Sequence, residues 1–456
     1  MTIDSLPDEA LLELFDFYAH NTPFLEGWIT VAHVCRRWRC IVFASPLRLD
    51  LRLLCKASKP VREMLDAWPP LPIIIDDHCR SEEGADNIIA ALGHNDRVCE
   101  ITIGFNEVSS SLSGRLARAM QKPFPQLTHL VLHSYEPTLV IPETLLGGSA
   151  PLLRSCQVNY LPFPALRNLL LSASHLVTLY LERIPHSAYI SPEAMVACLS
   201  AVTNLESLEL RFRSPKSRPN RANRHPPPLI RTTLPALRKF FFYGVSEYLE
   251  DFISRVDAPL LDEVDITLFH QLTFDVSQLH QFIGRTETLS ALNIVNVTLD
   301  DEHITVELSP QILVYSCPRI SLSTSCKGSD WQLSFLAQAC ISLSPTLSTF
   351  ETLQVLGSED QLTLGWEDEM ENGQWLELFH PFTSVKNLHL SEDVAPLVVP
   401  ALQELTEERV TDVLPALQNL YIDLFQTSGP IQEGVGQFVA ARQLSNHPVT
   451  VKYVKS

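Results

Sequence analysis

An α/β chain with a helical head and a long strand–helix repeat is the fold the sequence predicts, on three observations. Apolar residues crowd Leu6 to Leu53 at helical spacing. A template, apolar-x-x-apolar-x-apolar, then recurs between Val98 and Ile422. The residues between its copies often read as helices.

The head opens with Leu6, Pro7, Leu11, Leu12, Leu14 and Phe15, then Trp28, Val31, Val34, Cys35 and Trp38. Leu11, Leu12, Phe15 and Tyr18 follow helical spacing, and so do Val31, Val34, Cys35 and Trp38. Pro7 suits a first helical turn, where its missing N–H costs nothing. Asp8 and Glu9 sit at the positive end of that helix's dipole. Cys55 to Leu71 reads as a helix and a proline-rich turn, and Leu71 to Asp76 as a short buried strand.

Strong copies of the template fall at Val98-Ile101-Ile103, Leu127-Leu130-Leu132, Leu153-Cys156-Val158 and Leu176-Leu179-Leu181. They continue at Leu205-Leu208-Leu210, Leu237-Phe240-Phe242, Leu261-Val264-Ile266 and Leu289-Leu292-Ile294. Weaker copies stand at Cys317-Ile320-Leu322 and Phe350-Leu353-Val355, and clear ones at Val385-Leu388-Leu390 and Leu417-Leu420-Ile422. Their starts lie 23 to 35 residues apart. Ser191 to Ala201 reads as a spacer helix, with Ser191 as N-cap and Pro192 in the first turn. Ser246 to Val256 and Ser277 to Arg285 read likewise.

This pattern resembles a leucine-rich repeat. The resemblance implies an irregular solenoid, with parallel strands on the concave face and helices on the convex one. The family places Asn or Cys eight residues after the first Leu. Here Tyr135, Ile184, Arg213, Val245, Phe269, Val297 and Phe425 hold that place, so no asparagine ladder is expected at these copies. The division is then a helical head at 1–54, a linking helix and strand at 55–97, the solenoid at 98–428 and a cap at 429–456. Arg211 to Arg231, basic and proline-rich, reads as a mobile insertion, Ser358 to Gln374 as an exposed acidic one, and Ser323 to Asp330 as a polar turn. Gly429 to Gln443 reads as a capping helix and Pro448 to Val454 as a last strand.

Composition narrows the function. The net charge of −19 repels a nucleic-acid backbone and an anionic membrane, so neither is an expected partner. No apolar run reaches the ~18 residues of a membrane span, and the acidic start does not read as a signal peptide. The expected location is cytoplasmic or nuclear. The ten cysteines form no CxxC pair, and Cys35 and Cys40 lack a second pair to complete a zinc site. GxSxG, Walker, GxGxxG and HExxH motifs are missing. His33 beside Cys35, His78-Cys79, and His129 with His133 are the nearest approaches to a reactive or metal-binding set. No cofactor, metal or catalytic residue is expected.

Leu6-Pro7, Leu11, Leu12, Leu14-Phe15 and then Val34-Cys35-Arg36-Arg37-Trp38 resemble an F-box, most of all those of mushroom-forming fungi. The separation of Phe15 from Trp38 exceeds that of a compact F-box, which makes His20 to Gly27 a longer loop. The resemblance implies that Leu6, Pro7, Leu11, Leu12, Leu14, Phe15, Val34, Cys35 and Trp38 dock a Skp1-type adaptor and, through it, a cullin. The chain would then be the substrate-recognition subunit of a ubiquitin ligase. A plain scaffold, whose N-terminal helices only cap the repeat, is the alternative.

Strand alternation sends the residues between the apolar ones to the concave face. These are His129, Val131 and His133, then Thr178, Tyr180 and Glu182, then Ser207, Glu209 and Arg211. Lys239, Phe241 and Tyr243 come next, and then Glu263, Asp265 and Thr267. Aromatic and charged residues from Tyr180 to Asp265 have the composition of an interface hot spot. Tyr180, Glu182, Glu209, Arg211, Phe241, Tyr243, Glu263 and Asp265 are the candidates for holding an unknown target protein.

Overall fold

A computed structural model describes residues 6–21, 27–78, 82–105, 110–134, 141–219, 230–270, 277–290, 292–299, 304–310, 318–325, 329–357, 371–405, 407–423 and 430–454. Its contacts divide the chain into two compact units, Met1–Tyr189 with Ala201–Asn204, and Ile190–Ser200 with Leu205–Ser456.

The first unit begins with the head: α1 (Asp8–Asn21), α2 (Gly27–Val34) and α3 (Arg36–Ala44). Pro7 stands just before α1, and Asp8 and Glu9 occupy its first turn. Leu11 and Phe15, one turn apart, are buried at 0% and 4% exposure. Burying a phenyl ring of this kind contributes about 2–3 kcal/mol. An aromatic cluster seats the head on the chain around Trp68. Trp28 lies 6.0 Å from Phe43 and 5.4 Å from Trp68, with Phe43 and Trp68 5.9 Å apart. The indole N–H of Trp28 donates to the Arg52 carbonyl at 3.1 Å.

Strand and helix then alternate: β1 (Leu53–Cys55), α4 (Val61–Ala67), β2 (Ile73–His78), α5 (Glu82–Leu92), β3 (Val98–Phe105), α6 (Ser110–Ala119), β4 (His129–Ser134), β5 (Ser155–Asn159), α7 (Leu166–Ser172) and β6 (Thr178–Ile184). Within this unit β1 to β6 pair in chain order, all parallel. The template residues Ile101, Ile103, Leu130, Leu132, Leu179 and Leu181 form the buried side of the sheet.

The second unit carries α8 (Pro192–Leu199), β7 (Ser207–Phe212), β8 (Thr232–Thr233), β9 (Lys239–Gly244), α9 (Ser246–Ile253), β10 (Val256–Asp257), β11 (Glu263–Leu268), α10 (Ser277–Arg285) and α11 (Glu287–Ser290). It continues with β12 (Ile294–Leu299), β13 (Ile304–Ser309), β14 (Arg319–Thr324), α12 (Ser329–Ser342), α13 (Ser344–Leu347) and β15 (Thr352–Gly357). Last come α14 (Asn372–Phe379), β16 (Asn387–Leu390), α15 (Ala395–Gln403), β17 (Asn419–Asp423), α16 (Pro430–Leu444) and β18 (Thr450–Val454). Ser191 caps α8, its hydroxyl accepting from the Ala194 N–H at 3.3 Å. Gly244 ends β9 because a Cβ there would stand 2.6 Å from the Phe242 ring.

The architecture is the α/β repeat the template implied: an irregular, leucine-rich-repeat-like solenoid of mostly parallel strands backed by helices. It departs from a simple succession at two places: β8 and β10 pair parallel in a separate two-stranded sheet, and the large sheet reverses between β12 and β14. Strand order in the second unit is β7-β9-β11-β14-β13-β12-β15-β16-β17-β18. β13 runs antiparallel to both β12 and β14, and β14 lies parallel beside β11. The cause of the reversal is chain length. Only residues 300–303 separate β12 from β13, far fewer than the dozen or so of a parallel crossover.

Several expectations change. Leu289 belongs to α11, and Val295, Val297 and Leu299 are the buried residues of β12, so that copy is displaced from Leu289-Leu292-Ile294. Cys55 lies in β1, so the linking helix is only α4. Arg211 and Phe212 complete β7 rather than open a loop, and Phe212 packs 4.6 Å from Tyr248. Ser323 and Thr324 end β14 instead of forming a turn. Asn372 to Gln374 belong to α14. The strands β1, β2, β8, β10, β13 and β18 carry no template. The heart of the two insertions (220–229 and 358–370), residues 22–26 of the head loop, Cys79, Tyr135, Cys317 and Phe425 lie outside the described residues.

Candidate functional site

The nine head residues divide by burial. Leu11 and Phe15 are interior, so they hold the head together and do not face outward. The Phe15 ring lies 4.8 Å from that of Trp38, which is half-buried. Leu6 and Leu12 are also half-buried. Cys35 serves the backbone: it is the N-cap of α3, its Sγ accepting from the Trp38 N–H at 3.4 Å. Pro7 is exposed, Leu14 is 47% exposed and Val34 58%. Arg37 fastens the start of α1 to α3, donating to the Leu6 carbonyl and the Asp8 carboxylate, each at 2.6 Å.

The sequence reading missed exposed Phe17 (70%) and grouped Tyr18 with the apolar face without counting it as a contact, though it is 41% exposed. Leu14, Phe17 and Tyr18 recur at the three- and four-residue spacing that places them along one side of a helix, and Pro7 lies seven residues before Leu14. The signal was present, but the apolar pattern does not say which of two adjoining stripes is buried.

Tyr180 and Glu182 belong to the first unit. On the open side of its sheet, Glu182 accepts from Asn159 at 2.6 Å and Gln157 at 3.3 Å. His129 and His133 lie on the same side of β4. No group of three or more His, Cys, Asp or Glu among the described residues could hold a metal.

The other six candidates come together in the second unit. Register places Glu209, Phe241 and Asp265 opposite one another on β7, β9 and β11. Arg211 and Tyr243 form the next row, and Lys239, Glu263 and Arg319 the one before. Glu263 accepts from Lys239 at 2.8 Å and from Arg319 at 2.6 Å. Burial alone would raise its carboxyl, but these hydrogen bonds and charges hold it below the usual carboxylate range. Arg211 pairs with Glu209 at 2.5 Å. The Asp265 carboxylate makes no hydrogen bond or ion pair with a described residue. Burial pushes its carboxyl up, Arg211 and Arg319 opposing and Glu263 adding. Sequence spacing puts Arg319 on the open side, two residues after Cys317, but not beside Glu263, because it reaches this row only through the reversal at β12–β14.

Further along the same sheet, His389 stacks on Tyr421, centroids 4.2 Å apart and planes at 5°, and Lys452 lies over the Tyr421 ring at 5.0 Å. Burial lowers the His389 imidazole, so it stays neutral further into the acid range, with Asp423 opposing.

The arrangement offers surfaces, and with them binding by shape and charge. No helix among the described residues is long and apolar enough to cross a membrane. No family model matches the sequence, and no curated protein matches it. Among solved structures, the chain is similar to the leucine-rich repeat-containing protein LegL7 from Legionella pneumophila, at 13% identity and a TM-score of 0.27, over 77% of this chain and 91% of that one. It is also similar to the Rad7 and Elc1 complex in yeast, at 13% identity and a TM-score of 0.30, over 93% of this chain and 91% of that one. At such scores neither likeness bears on partners or activity.

Proposed function

We propose that this chain is a non-catalytic substrate receptor of a Skp1-cullin-F-box type ubiquitin ligase. The head docks the Skp1-type adaptor, and the open side of the repeat sheet takes a target protein. The chain makes and breaks no bond itself. It acts by raising the local concentration of a target's lysines at a charged ubiquitin carrier.

One observation carries the reading. Of thirteen exposed large apolar residues among those described, five (Leu14, Phe17, Tyr18, Val34 and Leu47) fall in the head. We read this concentration of exposed apolar side chains in one short segment as a contact site. The order of the head's motifs, LP, then LF, then VCRRW, supports an adaptor of the Skp1 type as the partner.

The capping alternative has its own support in the cluster of Trp28, Phe43 and Trp68, which seats the head on the linking segment just after α4. Capping explains the buried Trp28. It leaves the exposed Leu14 and Val34 without a role. The test is to mix the purified full chain with a purified fungal Skp1-type adaptor and measure co-elution on a sizing column. A complex with the intact chain, lost in a Leu14→Asp, Val34→Asp variant of unchanged melting temperature, supports the receptor. No complex, or one the variant keeps, leaves the cap as the better reading.

A further inference from the structure

We infer that the open side of the second unit recognises a target segment that presents an arginine or lysine side chain, taken between Phe241 and Asp265. The inference rests on the reading of this face as the target site and names the chemistry it selects.

Three features of the geometry support it. First, Phe241 stands between two carboxylates: Glu209 and Asp265 are its direct neighbours across the strands, about 4.8 Å to either side. A ring in that position offers its negative face to a cation. Second, the cations of this patch are engaged. Arg211 is bound by Glu209, and Lys239 and Arg319 are both bound by Glu263. Third, Asp265 is half-buried and its carboxylate has no ion pair or hydrogen bond among the described residues. A partly desolvated carboxylate, on which Arg211 and Arg319 act without bonding to it, carries a cost that an incoming cation relieves.

The surrounding residues shape the preference. Thr267 and Ser323 bond to each other at 3.0 Å, which leaves a neutral floor on one side of Asp265. The trio of Lys239, Glu263 and Arg319 guards the other side with a net positive charge, which disfavours a second cation one row away. The face therefore selects a single basic side chain set among neutral ones, rather than a basic run. A guanidinium can lie flat on Phe241 while its edge donates to Asp265, so arginine is favoured over lysine.

An array of random-sequence dodecapeptides, probed with the full-length chain, tests this. Bound peptides should be enriched in one central arginine or lysine. A selected peptide should bind about tenfold more weakly to Asp265→Asn, and also to Phe241→Leu, which keeps apolar bulk but removes the ring. Both variants should melt within a few degrees of the parent, so that lost binding is not lost folding. Binders without a basic preference, yet lost in Phe241→Leu, overturn the cation inference and leave the target-face reading standing. Basic binders indifferent to Asp265→Asn also overturn it. If no selected peptide depends on this face, both readings fall.

Discussion

Glu250 accepts the backbone N–H groups of Gln278 and Leu279, at 2.6 and 3.0 Å, from a position 1% exposed. A carboxylate on one repeat's helix thus closes the first turn of the next, where α10 leaves its amides unpaired. It does for this pair of repeats what a ladder of asparagines does in a regular leucine-rich repeat.

Removing that carboxylate should loosen α10. Glu250→Ala leaves one buried and one part-buried donor without an acceptor and should cost roughly 2–4 kcal/mol. Hydrogen exchange of the 277–285 amides reads it, with Glu250→Gln falling in between. Unchanged protection in Glu250→Ala would show that water replaces the cap.

Phe15 and Pro7 should part company under mutation. Phe15→Ala opens a cavity beside Trp38 and should cost about 3–5 kcal/mol, seen as faster exchange across α1 and α3. Pro7→Ala, at an exposed position, should leave exchange unchanged. If both lower adaptor binding, only Pro7→Ala reports on the contact itself.

Asp265 and Glu263 should respond to pH in opposite senses. A carboxyl raised on folding binds its proton more tightly when folded. Its contribution therefore worsens as pH rises from the ordinary Asp range through the raised value. Asp265→Asn should raise the melting temperature near neutral pH and change it little near pH 2. Glu263, lowered on folding, stabilises above its ordinary value and loses that contribution as pH falls through the folded one. Glu263→Gln should lower the melting temperature near neutral pH and leave it unchanged near pH 2.

Arg442 is fully buried and donates to the carbonyls of Val410 (3.0 Å), Leu417 (3.2 Å), Leu414 and Pro415 (3.4 Å each). It closes the turn before β17 with one side chain. Arg442→Met keeps the volume but removes these donors, leaving the Leu414 carbonyl only its bond from the Leu417 N–H, and should cost roughly 2–4 kcal/mol. Denaturant midpoints together with exchange at 407–423 would record it, and an unchanged midpoint would contradict the role.

By itself the sequence determined the alternation of strand and helix. The last two apolar residues of the template, two apart, bury one side of a strand, as Leu130, Leu179, Phe240 and Leu388 do, while the first packs in the turn before it. It also determined which residues share the open side, because strand alternation is local. Tertiary structure alone decided three matters. It placed β14 beside β11, and so Arg319 beside Glu263, since strand pairing is a choice among distant partners. It turned Leu11 and Phe15 inward and left Leu14 and Phe17 outward, since an apolar stripe does not declare which flank another helix will cover. And it left Asp265 without a partner while its neighbours paired, since only packed side chains show which charges meet.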